Sequence, residues 1–372
     1  MHDILFIIDT LSGAGGVQRS ISLLCNELMN SQIYNITIAC INGSDLWFTL
    51  DKRVKTIFLE QCTGSKPNGK INFARRQIRL LRNIKALTCL IKQSKYDLII
   101  GYGGSARITV GVLRHLCKKK TAFCERDNPD NKLDPLWKKI DSAVGIFLVR
   151  HTYVAFQTET AKRYYKKVNK YTIIPNFIDA SNLPTVSDWS SRDYRVINAA
   201  RLAYDKNQMM LIRAFATVHN LYPQYSLEMH NEGAFRAKLV DSINQLKAES
   251  YIKLMPSTKS ILDIMNNARI YVCSSNNEGY SNALLEAMAM GMACISTDCA
   301  GSVREMIEDG VNGLVVPVDN EEAMTEALKL LMENDAASQD MAERATKVRE
   351  LNAKDNIIRK WTDFFKTIIE ET

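Results

Sequence analysis

The sequence predicts an α/β protein with two Rossmann-like domains, each a mainly parallel sheet covered by helices on both faces. Three observations carry this reading. The chain has 372 residues, more than twice a typical single domain. Short apolar runs alternate with helical stretches along most of it. Charge is also split unevenly: residues 1–186 hold 28 Lys+Arg against 14 Asp+Glu, a balance of +14, while residues 187–372 balance at −7. Such a split suggests two domains, one of them facing something anionic. With 46% hydrophobic and 24% charged residues, the composition is ordinary globular material.

The elements follow in order. Residues 4–8 are an apolar run that reads as a first strand, since a signal peptide needs a basic n-region and a longer apolar stretch. A Gly-rich turn, Leu11–Gly16, leads into a helix over 17–29. Further strands are expected at 35–40, 54–59, 97–100, 121–125 and 153–157. A long basic helix is expected over 72–93, with Leu80, Leu81, Ile84, Leu87 and Leu90 at helical spacing. Pro175, Pro184 and the polar run Ser187–Ser191 mark a linker. Beyond it, strands are expected at 194–199, 226–230, 251–254, 269–273, 293–297 and 313–316, with helices at 207–219 and 282–290. A closing amphipathic stretch, 354–371, puts Ile357, Ile358, Trp361, Phe364, Phe365 and Ile368 on one side. No apolar run approaches the roughly 18 residues of a membrane span. The nine cysteines are scattered with no CxxC, so neither a disulfide framework nor a zinc cluster is expected and a reducing cytoplasm is the simplest home.

Three constellations carry chemistry. Gly13, Gly15 and Gly16 follow the first strand and precede a helix, a place where backbone N–H groups seat a phosphate or simply make a tight turn. The pattern is not GxGxxG, which counts against an NAD-dependent oxidoreductase. Arg201 follows a strand and Lys206 precedes a helix, so both belong to the carboxyl edge of a parallel sheet, where two cations either neutralise a diphosphate or decorate a solvated loop. The strongest constellation is Glu278–Gly279–Tyr280–Ser281–Asn282 running into a helix that holds Glu286. Ser281 is a good N-cap, and the backbone N–H groups of Tyr280, Ser281 and Asn282 make an anion seat between two carboxylates. Carboxylates for sugar hydroxyls beside amides for phosphate describe a nucleotide-sugar site.

These residues resemble the retaining glycosyltransferases of family 4, the glycosyl transferases group 1, of GT-B fold and bacterial surface-polysaccharide type. The resemblance spans nearly the whole chain and is anchored by Gly15–Gly16, Pro175–Asp179, Arg201, Lys206, the E-x7-E pair Glu278 and Glu286, and the stretch 300–315. It implies an acceptor-binding domain over 1–178 and a nucleotide-sugar domain over 179–353, facing each other across a cleft. A final helix, 354–372, would pack back on the first domain. It further implies that Arg201 and Lys206 bind the donor diphosphate, that Glu278 contacts the transferred sugar and that Glu286 holds the ribose; Gly15, Gly16, Tyr280, Ser281 and Asn282 are taken as further donor contacts. No cofactor and no metal ion is expected, the two cations and the helix dipole serving instead. The donor is taken to be a UDP-sugar and the acceptor a growing lipid-linked glycan, with retention at the anomeric carbon. The chain departs from the family at Asn231–Glu232–Gly233, where Gly-x-Gly is usual. The region of the usual first-domain His reads Glu125–Arg126–Asp127, any of which is a candidate for the acceptor side.

The basic helix with Arg75, Arg76, Arg79, Arg82 and Lys85 is either a solvated face or an element lying on anionic lipid; the resemblance favours lipid, and hence a peripheral position on the inner face of the cytoplasmic membrane. Lys118–Lys120 adds to that surface only if it lies on the same side. Two rival classes remain: a sugar-nucleotide 2-epimerase, against which the E-x7-E arrangement argues, and a nucleic-acid-binding protein, which would lack interleaved aromatics and leave Glu278 and Glu286 unexplained. No nucleic-acid partner is expected.

Overall fold

The structure, a computed structural model, describes residues 1–13, 15–60, 73–129, 131, 134–299 and 301–371, without the side chains of residues 73–76 and 105. The side chains of Arg75 and Arg76 therefore lie outside the described residues. The chain forms two compact units, Met1–Pro175 with Asp355–Thr372, and Asn176–Lys354. Both are parallel-sheet α/β domains, the fold class read from the sequence.

In the first unit the order is β1 (His2–Ile8), α1 (Gly16–Asn30), β2 (Tyr34–Cys40), β3 (Lys55–Phe58), α2 (Phe73–Gln93), β4 (Leu98–Tyr102), α3 (Arg107–Cys117), β5 (Thr121–Glu125), α4 (Leu136–Val149), β6 (Tyr153–Phe156), α5 (Glu159–Arg163) and β7 (Tyr171–Ile173). The seven strands lie in the order β3-β2-β1-β4-β5-β6-β7, all parallel. Because both faces of a doubly wound sheet are covered, β1 is apolar at consecutive positions instead of alternating. Its pleat sends Leu5 and Ile7 into one core beside Leu87, Val110 and Leu113 of α2 and α3. Phe6 points to the other face, edge-on to Tyr102 and Phe365. The three-residue edge strand β7 is too short to show a period.

The second unit runs β8 (Asp193–Ala199), α6 (Gln208–His219), β9 (Ser226–His230), α7 (Arg236–Gln245), β10 (Ile252–Met255), α8 (Ile261–Asn266), β11 (Ala268–Cys273), α9 (Asn282–Ala289), β12 (Ala293–Thr297), α10 (Gly301–Met306), β13 (Leu314–Val316), α11 (Glu321–Glu333), α12 (Asp335–Ala345) and α13 (Val348–Leu351). Its sheet order is β10-β9-β8-β11-β12-β13, again parallel. Two apolar cores sandwich this sheet. The chain enters and leaves the unit along one short parallel bridge, Ile178 to Ala353. There the Ile178 N–H donates to Asn352 O at 2.8 Å and the Lys354 N–H to Ile178 O at 3.1 Å, with Asp179 paired to Lys354 at 3.1 Å.

The last helix, α14 (Lys354–Glu370), buries Ile357, Trp361, Phe364, Phe365 and Ile368. Phe365 meets Tyr34 edge-on at 5.6 Å, so this stripe completes the first unit's core. Within Lys118–Lys120, the Lys120 Nζ donates to Ile369 O and Glu371 O, both at 2.6 Å, and so satisfies carbonyls at the end of α14. Among the described residues, Cys25, Cys40, Cys124, Cys273, Cys294 and Cys299 are buried and Cys89 is exposed. Among them, too, no helix is long and apolar enough to cross a membrane, and no group of three or more His, Cys, Asp or Glu could hold a metal ion.

Candidate functional site

In an open parallel sheet, ligands bind at the carboxyl ends of the strands where the winding direction reverses. In the second unit that reversal lies between β8 and β11. Arg201 and Lys206 follow β8, and Glu278 follows β11, so the sheet topology brings the predicted residues together there. Lys206 Nζ lies 2.8 Å from Glu278 Oε1 and 3.7 Å from Asp205 Oδ2. Ser275 Oγ donates to the same Glu278 oxygen at 2.7 Å. Burial alone would lower the Lys206 pKa, but the Glu278 carboxylate outweighs it and holds the ammonium above its ordinary range. The two loops are stitched by backbone and side chain alike. Asn276 N–H donates to Asp205 O, Ser274 Oγ donates to Lys206 O, and Asn207 Nδ2 donates to Asn276 Oδ1. Arg201 is different: its side chain is 67% exposed and touches only the rim, 3.8 Å from Asp205. One cation is thus shielded and held by a carboxylate, and the other lies exposed at the rim.

Ser281 caps α9, its side chain accepting the Leu284 N–H. Glu286 sits about one turn into that helix, half-buried. Asn282 is held by Asn176 of the Pro175–Asp179 motif, whose amide donates to Asn282 Oδ1. Tyr280 turns its hydroxyl inward to accept from Asn352 Nδ2 at 2.9 Å, and burial pushes that hydroxyl's pKa well up. Asn352 also donates to Asn176 O at 2.7 Å. Tyr280 and Asn282 therefore anchor the start of α9 through their side chains. The sequence offered no sign of Asn352 or Ser275, which lie in no recognisable motif; only the fold brings them in.

The departure at Asn231–Gly233 changes less than its letters suggest. Asn231 adopts φ +140°, a backbone angle that favours glycine, and its Oδ1 accepts from Ser257 Oγ and Glu232 N–H. Gly233 has no such latitude: a Cβ there would stand 2.1 Å from Leu202 O. Leu202 N–H donates to Glu232 O, so this loop packs directly under Arg201. Gly233→Ala is expected to destabilise the fold by about 1–3 kcal/mol through overpacking against backbone, read from urea unfolding. An unchanged midpoint would show that the loop can yield.

In the first unit the reversal lies between β1 and β4. Gly15 caps α1 there and Gly16 opens it. Across from them Gly103, at φ +86°, turns the chain after β4. Glu125, expected on the acceptor side, is fully buried and committed inward. Its carboxylate takes hydrogen bonds from Arg107, from the Tyr165 hydroxyl and from the N–H groups of Arg126 and Asp127. Burial pushes its pKa up against the pull of Arg107. Arg126 is also buried, its guanidinium 4.8 Å from the Tyr102 ring and 5.0 Å from the Trp361 ring, with Nη1 donating to Ile174 O. Asp127 alone of the three is exposed, and it accepts the Gly104 N–H at 2.7 Å.

Residues 180–348 match the family described as glycosyl transferases group 1. A Campylobacter jejuni N-acetylgalactosamine-N,N'-diacetylbacillosaminyl-diphospho-undecaprenol 4-alpha-N-acetylgalactosaminyltransferase is 32% identical over 168 residues, 45% of this chain and 45% of its own length. A second Campylobacter jejuni protein, the GalNAc-alpha-(1->4)-GalNAc-alpha-(1->3)-diNAcBac-PP-undecaprenol alpha-1,4-N-acetyl-D-galactosaminyltransferase, is 23% identical over 352 residues, 93% of each chain. Among solved structures, Anabaena HepE in complex with UDP and glucose superposes with a TM-score of 0.80 at 15% identity, covering 99% of this chain and 100% of that one. The chain carries a glycosyl transferases group 1 domain over residues 180–348 and is a glycosyltransferase of the GT-B fold.

Proposed function

We propose that the chain moves a hexosyl or N-acetylhexosaminyl group from a UDP-sugar to a growing lipid-linked surface glycan, with retention at the anomeric carbon and without a metal ion. One observation carries this reading. A buried lysine and a carboxylate meet at the sheet's reversal point, beside a capped helix start that leads to a second carboxylate. Lys206 and the exposed Arg201 would take the donor diphosphate, aided by the N–H groups of Tyr280, Ser281 and Asn282. Glu278 would hold the transferred sugar and Glu286 the ribose. In the other domain, Asp127 stands at the carboxyl edge and would serve the acceptor, with Arg126 and Glu125 shaping the ground beneath it. The names of the two Campylobacter relatives, with their undecaprenol acceptors, support the lipid-linked choice. Such an acceptor places the reaction on the inner face of the cytoplasmic membrane.

The step breaks the bond from the sugar C1 to the diphosphate oxygen and forms one from C1 to the acceptor oxygen on the same face. The acceptor's hydroxyl proton passes to the leaving phosphate. Charge developing on that phosphate meets fixed cations, the kind of electrostatic stabilisation that usually dominates catalysis.

A donor-hydrolysis panel over UDP-Glc, UDP-Gal, UDP-GlcNAc, UDP-GalNAc and GDP-Man tests this, with the product anomer read by NMR. One UDP-sugar should be cleaved to the α-anomer, in buffer containing EDTA. An inverted product, or activity that only Mg²⁺ or Mn²⁺ restores, would contradict it. Glu286→Ala should weaken UDP binding by about 1–3 kcal/mol, as a ribose acceptor is lost. Calorimetry showing wild-type affinity would remove the ribose role.

A further inference from the structure

The loop that carries both candidate diphosphate cations is closed from beneath by a residue that no motif marks. Gln208 opens α6, two positions after Lys206, and is only 1% exposed. Its side-chain amide donates from Nε2 to Arg201 O at 3.0 Å and to Ala200 O at 3.5 Å. Two carbonyls face this one nitrogen, which fixes the orientation of the amide. The reverse placement would set three acceptor oxygens against one another. The other end of the group, Oε1, is buried and has no hydrogen-bond partner among the described residues. An apolar side chain of similar length would fill the same space without orphaning an acceptor. The needs of the fold alone therefore do not account for a glutamine there.

What the amide holds is the place where the chain leaves β8. The next residue, Leu202, is wholly buried, with its N–H donating to Glu232 O and its carbonyl accepting from the Phe235 N–H. Asn207 then turns the chain at φ +45°, its amide donating to Asn276 Oδ1 and Asp319 Oδ1, both at 3.0 Å. Between them, Asp205 O and Lys206 O accept from Asn276 N–H and Ser274 Oγ. The backbone under both cations is thus pinned, and Gln208 supplies the pin at Arg201 itself. The Arg201 side chain, by contrast, is 67% exposed. A long cation on a loose backbone samples many positions, whereas on a pinned one its reach is set before a ligand arrives. We propose that Gln208 is a positioning residue for transfer: by clamping the Arg201 carbonyl to the start of α6, it sets the reach of the Arg201 guanidinium toward the diphosphate that Lys206 also meets. This role rests on Arg201 and Lys206 being the partners of that diphosphate. It adds a residue that acts only through Arg201.

Gln208→Met keeps the length of the side chain and removes the donor. Its melting temperature should equal or exceed that of wild type. The orphaned oxygen is gone, and the released carbonyl belongs to an exposed residue that water can reach. Its kcat with the best UDP-sugar should nevertheless fall by about 10–100-fold, the scale for a small misplacement of a group that meets the reacting centre. KM should rise less than kcat falls, because charge builds on the leaving phosphate only as the bond breaks. Without the arginine the effect should vanish: Arg201→Ala combined with Gln208→Met should be no slower than Arg201→Ala alone. The same cycle run on UDP affinity by calorimetry requires no turnover and should show the same lack of additivity. Wild-type kcat in Gln208→Met would overturn the proposal. So would losses that multiply in the double variant, or a melting temperature well below wild type, since Gln208 would then serve the fold at large. Near-normal transfer by Arg201→Ala is a separate result. It would remove the diphosphate reading itself, and the role of Gln208 with it.

Discussion

Lys206→Ala should lower transfer by roughly 10²–10³-fold while the protein stays folded. That is the scale for removing one preorganised charge partner of a transition state. The structure gives two reasons to expect the upper part of the range. The ammonium is largely shielded from water, so no solvent screen blunts its field. It is also pre-positioned by Glu278, which keeps it charged and leaves nothing to reorganise when a leaving phosphate develops charge. Lys206→Arg should recover only part of the loss, because a planar fork cannot occupy the place of a point charge 2.8 Å from Glu278 Oε1. Arg201→Ala should fall in the same range for a different reason, since its 67% exposed side chain supports nothing in the fold. Initial rates with the best donor decide the matter. Near-normal rates in both alanine variants would remove the diphosphate assignment.

Glu125→Ala should strike stability first. The carboxylate is wholly buried with Arg107, whose side chain is 6% exposed, and it also satisfies the Tyr165 hydroxyl and two backbone N–H groups. Breaking a buried pair leaves an uncompensated guanidinium in an apolar pocket, with Ser142 and the rings of Phe123 and Tyr165 as its remaining company. A loss of about 3–5 kcal/mol follows. Adding Arg107→Met should restore part of it, because two apolar groups are easier to bury than one orphaned charge. Denaturant unfolding of the two single variants and the double variant forms the cycle that measures this. If Glu125→Ala instead unfolded like wild type while transfer to the acceptor vanished, the carboxylate would belong to the acceptor site.

These two residues also show what a sequence can and cannot disclose. Lys206 and Glu278 stand 72 positions apart, yet each sits just after an apolar run that ends a strand. Parallel-sheet logic then places both on one edge, so their association was legible before any coordinates. Strands at 121–125 and 293–297 were equally plain from short apolar centres with polar ends, and 226–230 from the alternation of Leu227 and Met229 with polar residues. Glu125 looked the same in the sequence as an accessible carboxylate, because its burial depends on Arg107 from a separate helix and Tyr165 from a loop. Helix α4 was passed over in the sequence, although Leu136, Ile140, Val144 and Phe147 recur there at helical spacing.

The bridge between Ile178 and Ala353 has a topological meaning. Residues 176–354 begin and end side by side, so in chain terms this domain is a loop inserted into the other one, whose own sequence resumes at Asp355. An insert with adjacent ends can be cut out, closed or exchanged without stretching the host, and its internal order does not depend on the host being folded. Its ends are also tied to the helix start that precedes Glu286, through Asn352, Asn176 and Asn282. A cassette of this kind can be traded between scaffolds as one piece, carrying the start of α9 with it.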